Sequence, residues 1–98
     1  MGKRKVVILD KAVEEVANVA YFIEGKGLPA TAKKFVGEAF EYFEHLADDS
    51  FVHKPCKEPL WQLLNYRCAN YKKKFMIAYL SNHHEIIICD FAVQKLLK

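Results

Sequence analysis

The stretch from Lys74 to Leu80 constrains the fold more than any other. Phe75, Ile77 and Tyr79 alternate with Met76, Ala78 and Leu80, so an extended chain here is apolar on both faces. A strand of that kind belongs in the middle of a sheet and is covered on both sides. Ser81-Asn82-His83-His84 follows as a turn, and Glu85 to Phe91, with Ile86-Ile87-Ile88, returns as the hairpin partner. A run from Leu60 to about Ala69 reads as one more strand before the pair. Strands joined by short turns pair antiparallel.

The first half of the chain has a different period. Val6-Val7-Ile8-Leu9 is a short β-branched run, read as a strand that ends at Asp10. Asp10 is the expected helix N-cap. Val13, Val16, Ala17, Ala20 and Ile23 then recur at helical spacing, which predicts a helix over about Lys11–Glu24, closed by Gly25 and Gly27. Pro29 suits the first turn of a second helix. Ala32, Phe35, Val36, Ala39, Phe43, Leu46 and Ala47 carry that helix to Asp48. The short link around Lys26–Leu28 makes the two an antiparallel hairpin. Phe51–Pro59, with Pro55 and Pro59, reads as a loop, and Ala92–Lys98 as a short helix or a loose tail. The expected fold is one α+β domain over residues 1–98. Its order is strand–helix–helix–strand–strand–strand, an antiparallel sheet with the helical hairpin packed on one face.

Composition narrows the function classes. In 98 residues, 52% are hydrophobic and 28% charged, which fits a globular domain and not a disordered tail. No apolar stretch approaches the roughly 20 residues of a membrane span. The basic start Met1-Gly2-Lys3-Arg4-Lys5 precedes too short an apolar run for a signal peptide, so a cytoplasmic protein is expected. Lys and Arg number 15 against 12 Asp and Glu, a formal charge of +3. That excess permits an acidic partner without requiring one. Cys56, Cys68 and Cys89 are odd in number and widely spaced. They fit neither a disulfide framework nor a zinc site and are expected as reduced thiols. No Gly-rich phosphate loop and no nucleophile elbow is present, so nucleotide hydrolysis and acyl transfer are not expected; nor is a metal or a cofactor.

Several segments resemble the RelE/ParE superfamily, small bacterial toxins of type II toxin–antitoxin modules, also known as plasmid-stabilisation proteins. Ala17-Asn18-Val19-Ala20-Tyr21-Phe22-Ile23-Glu24 is similar to the family's first helix, and the turn Gly25-Lys26-Gly27-Leu28-Pro29 follows it. Ala32-Lys33-Lys34-Phe35 is similar to the opening of the second helix and Phe43-Glu44-His45-Leu46-Ala47 to its end. The stretch from Tyr66-Arg67 through Lys72-Lys73-Lys74 to Tyr79 is similar to the family's strand pair, with an isoleucine-rich last strand after it. The resemblance covers most of the chain. It implies a toxin neutralised by a cognate antitoxin. The target is either DNA gyrase, inhibited without catalysis, or the ribosome with its messenger RNA, cut by a metal-independent endoribonuclease. A non-toxic family member is a third possibility. The absence of a His or Tyr after Phe91 favours the gyrase-directed class.

Within this frame Arg67 matches the family's strand arginine. As a nuclease residue it would stabilise charge on a scissile phosphate; its structural alternative is an ion pair with Glu58 or Glu85. Lys54, Lys57, Lys72, Lys73 and Lys74 form one positive patch with Arg67 if the loop before the strand lies near the turn after it. Otherwise Lys72–Lys74 is an ordinary solvated turn. His53, in the Pro-flanked loop, is the candidate for a general base. His83 and His84 read as exposed turn residues, and His45 lies on the polar side of its helix. Trp61, Tyr66 and Tyr71 offer rings for stacking a base, although packing is the expected role of Trp61.

Overall fold

The computed structural model describes residues 4–48 and 54–93. His53 and the residues after Val93 lie outside them. Four strands and three helices follow in the order β1 (Lys5–Ile8), α1 (Asp10–Gly25), α2 (Pro29–Asp48), α3 (Pro59–Leu63), β2 (Arg67–Tyr71), β3 (Phe75–Ser81) and β4 (Glu85–Val93). The sheet order is β1-β4-β3-β2.

The helical hairpin forms where the periodicity places it, except that Val13, expected on the apolar face of α1, is exposed and Ala12 is buried in its place. Helix α1 buries Ala12 and Val16, with Val19, Ala20 and Ile23 packed at the margin of the core. Helix α2 buries Ala32, Phe35, Ala39, Phe43, Leu46 and Ala47. Between the helices Gly27 takes φ +84°, the left-handed region that glycine enters without cost. Arg4 donates to the Ala47 and Leu46 carbonyls at 3.5 and 3.3 Å and so satisfies the C-terminal end of α2. The N-terminus of α1 differs from expectation. Leu9 is the N-cap, Asp10 is already the first helical residue, and no side chain caps that end.

The expected all-antiparallel sheet is corrected at one edge. Strands β2–β3 and β3–β4 are antiparallel, but β1 pairs parallel with β4, Val6 opposite Ile86 and Ile8 opposite Ile88. No tight turn joins β1 to β4, so nothing local forces them antiparallel, and the helices and both other strands lie between them in the chain. A bulge interrupts the β3–β4 register. Ala78 faces Asp90 while Tyr79 faces Ile88, which leaves Cys89 as the extra residue.

Each face of the sheet has its own core. On the helix side Ile77, Tyr79, Ile86, Ile88 and Phe91 meet Val16, Phe43 and Leu46. Phe75 and Phe91 stack with centroids 5.1 Å apart, and Phe35 leans on Phe75 at 5.4 Å. On the other side Ala78 lies under Cys56 and Trp61, with Tyr66, Cys68, Met76 and Ala92 around them. The apolar character of both faces of β3 is thereby accounted for.

The cover on that second side corrects two expectations. Leu60–Ala69 is not one strand. Its first part is α3, with Pro59 in the first turn and the Glu58 carboxylate accepting the Trp61 N–H at 3.0 Å. Pro59 opens a helix here; it does not mark a loop. Ahead of it Pro55 forms an isolated antiparallel bridge to Arg67. Nor are all three thiols reduced: Cys56 and Cys68 are joined as a disulfide, and only Cys89 is free and buried. At the other end, Ala92 and Val93 extend β4 and are neither helix nor tail.

Candidate functional site

Strand β2 carries the sequence candidates, and its geometry separates them. Arg67 opens the strand. By two-residue alternation it shares the helix-side face with Ala69 and Tyr71, opposite Tyr79 in the register. Lys54 is held next to it, since the Cys68 N–H donates to the Lys54 carbonyl at 3.2 Å. Lys57 follows one residue after the Cys56 anchor and is exposed. Lys72, Lys73 and Lys74 sit in the turn at the far end. Arg67 and Lys72 are five residues apart on extended chain, about 16 Å at roughly 3.3 Å per residue. The patch expected to be single is therefore two groups: Lys54, Lys57 and Arg67 at one end of β2, and Lys72–Lys74 at the other.

The turn group is engaged locally. The Lys74 N–H donates to the Tyr71 carbonyl at 3.2 Å, and Lys72 and Lys73 between them take φ of +54° and +61°. Those are the left-handed values a tight hairpin turn requires, here adopted by lysines in place of the usual Asn-Gly. The geometry aims Lys72 back at α2. Its Nζ bonds the Glu38 carboxylate and lies 5.5 Å from the Tyr71 ring centre. Lys34 approaches the other Glu38 oxygen at 4.0 Å.

Beside this ion pair runs a groove of about 560 Å³, lined by Glu38, Glu41, Tyr42, Glu44, His45, Asp48, Tyr71 and Lys72. Its walls are acidic on a chain of formal charge +3. Tyr42 and Tyr71 meet at 4.8 Å across its floor, and the Tyr42 hydroxyl donates to the Asn70 carbonyl at 3.3 Å. The Tyr71 hydroxyl is buried beside Lys72, and burial pushes its pKa up. Glutamates 38, 41 and 44 read in sequence as helix solvation; their spacing with His45 and Asp48 is the signal that one flank of α2 is an acidic wall.

The Lys72 hydrogen bond holds the Glu38 carboxyl below the usual carboxylate range, and the Glu38 hydrogen bond holds Lys72 above the usual lysine value. The pair's contribution to stability is thus present above the ordinary carboxylate pKa and fades as pH falls through the lowered Glu38 value. On the alkaline side it persists until pH rises through the raised Lys72 value. The expected result of Lys72→Met is an upward shift of the Glu38 titration midpoint, read by carboxyl NMR. An unmoved midpoint would show that the two groups are not paired in solution.

The remaining candidates are placed as follows. His45, His83 and His84 are exposed, and the Asn82 side-chain oxygen accepts the His84 and Glu85 N–H groups at 2.8 and 2.9 Å to shape that turn. The Glu58 carboxylate is used as the α3 cap, and Lys5 stands opposite Glu85 in the β1–β4 register. Trp61 and Tyr71 are buried, so neither ring is open to stack a base. Tyr66 and Cys89 neighbour each other, and desolvation raises both of their pKa values. Among the described residues no helix is long and apolar enough to cross a membrane. The chain matches no protein-family model and no curated protein sequence.

Proposed function

We propose that the chain is a RelE/ParE-like toxin, neutralised by a cognate antitoxin and acting on DNA gyrase by binding without catalysis. The observation that carries this reading is the element order. A strand, a helical hairpin on one face and, after the short α3, three further strands follow one another, with β1 parallel to β4 where the expected sheet is antiparallel. Binding is favoured over cleavage by the separation of the cationic groups. Lys72 is committed to Glu38 at one end of β2, while Arg67 stands with Lys54 and Lys57 at the other. A surface of that kind suits a complementary protein, whereas phosphodiester cleavage needs charge stabilisation and proton transfer focused on one phosphate.

The test has two stages. Expression without an antitoxin is expected to arrest bacterial growth, and Arg67→Ala to relieve the arrest with an unchanged circular dichroism spectrum. Purified protein is then expected to inhibit gyrase supercoiling and to leave messenger RNA intact in a translating extract. Codon-phased cuts lost in the Arg67→Ala, His53→Ala double variant would instead place the chain with the ribosome-dependent nucleases. Growth unaffected by expression would mark a non-toxic member.

A further inference from the structure

The segment from Lys54 to Tyr66 covers the second face of the sheet with little apolar anchorage of its own. In α3 only Trp61 is buried; Leu60 and Leu63 are 59% and 80% exposed, and Leu64, just beyond the helix, is 47% exposed. The helical hairpin, by contrast, buries Val16, Phe35, Phe43 and Leu46 among others in the core on the other face. Main-chain ties close the segment on itself and join its start to β2, where Pro55 bridges Arg67. The Cys56 N–H donates to the Tyr66 carbonyl at 3.1 Å within the segment, and the Cys68 N–H of β2 donates to the Lys54 carbonyl at 3.2 Å. The covalent tie is the Cys56–Cys68 bond, which joins the start of the segment to the strand beneath it.

We propose that this disulfide is a redox modification site for a dithiol reductant, and that it works as a latch on the 54–66 segment. Cys56 is 1% exposed whereas Cys68 is only partly buried, so attack falls on Cys68. A thiolate of the reductant bonds to Cys68 Sγ, and the Sγ–Sγ bond breaks. Its electron pair leaves on Cys56 Sγ, which takes a proton from water. The reductant's second thiol, having lost its proton, attacks the reductant sulfur of the mixed disulfide. The pair then leaves on Cys68 Sγ, which is protonated in turn. Two electrons and two protons pass to the protein, and the reductant closes its own disulfide. The third thiol takes no part, because Cys89 is 4% exposed and burial raises its pKa. Once the tie is cut, the segment lifts, Trp61 meets water, Ala78 and Met76 are uncovered, and Lys54 is no longer held beside Arg67.

The chain contains a single tryptophan, and it sits under the latch. The test uses the full chain purified without reductant. Thiol titration is expected to find one thiol in denaturant before reduction and three after it. Dithiothreitol is expected to shift Trp61 emission to the red and to raise tryptic cleavage after Lys57 by about tenfold or more, since cleavage tracks the open population. The far-UV circular dichroism of the helical hairpin should stay. Cys56→Ala with Cys68→Ala should behave as the reduced protein without any reductant, and Cys89→Ala as the wild type. If the double variant fails to fold, reduction of the folded wild type supplies the same readouts. Three thiols before reduction would overturn the proposal. So would a count rising to three with Trp61 emission and Lys57 cleavage unchanged, or collapse of the whole circular dichroism spectrum on reduction.

Discussion

Phe43→Ala is expected to lower the stability of the domain by about 3–5 kcal/mol, the range for emptying a buried phenylalanine site. Phe43 is fully buried, with its ring edge-on to Phe40 at 5.6 Å and to Phe91 at 6.2 Å. It stands where α2 meets the middle of the sheet, and the aromatic rings around it cannot collapse into the space without losing contact with one another. A domain of this size has about 5–15 kcal/mol in total, so the variant stands near the edge of folding. At roughly 4–8 °C per kcal/mol, a fall in melting temperature of more than about 12 °C is expected. Urea denaturation should show a lower midpoint at an unchanged slope. A loss under about 1 kcal/mol would show that Phe43 does not occupy the core.

Removing the Cys56–Cys68 bond by the paired alanine substitutions is expected to cost about 3 kcal/mol. The two cysteines are 12 residues apart, and the bond restricts the unfolded chain over that loop. Alanine is the suitable replacement at Cys56, because a serine hydroxyl there would be buried among Trp61 and Ala78. The effect is read by comparing urea midpoints of the oxidised wild type and the double variant. Equal midpoints would show that the bond contributes nothing to equilibrium stability.

Helical period carried most of what was legible. Val16 and Ile23 in α1, and Phe35, Phe43 and Leu46 in α2, take their expected positions because a 3.6-residue repeat fixes a face without reference to the rest of the fold. The β3–β4 hairpin was legible for the same local reason. The parallel placement of β1 was not, because its partner is set by how the whole chain returns to it. Glu58-Pro59 was misread because a proline that breaks an element looks the same in sequence as one that begins a helix. Arg67 and the lysines could be named, but their division into two groups depends on strand length and register. The disulfide depends on the Pro55–Arg67 bridge, which brings the Cys56 and Cys68 Cα atoms to 4.9 Å and has no periodic signature.

The bulge in β4 gives position 89 an unusual standing. Ile86 and Ile88 are even-numbered, Phe91 is odd-numbered, and all three enter the helix-side core. A regular strand would send Phe91 to the opposite side from the isoleucines. One supernumerary residue resets the count, so the strand behaves as two short runs out of phase, spliced at Cys89. Replacing Cys89 alters one side chain, whereas excising it would close the bulge and leave Ile88 and Phe91 two positions apart on one face of a regular strand.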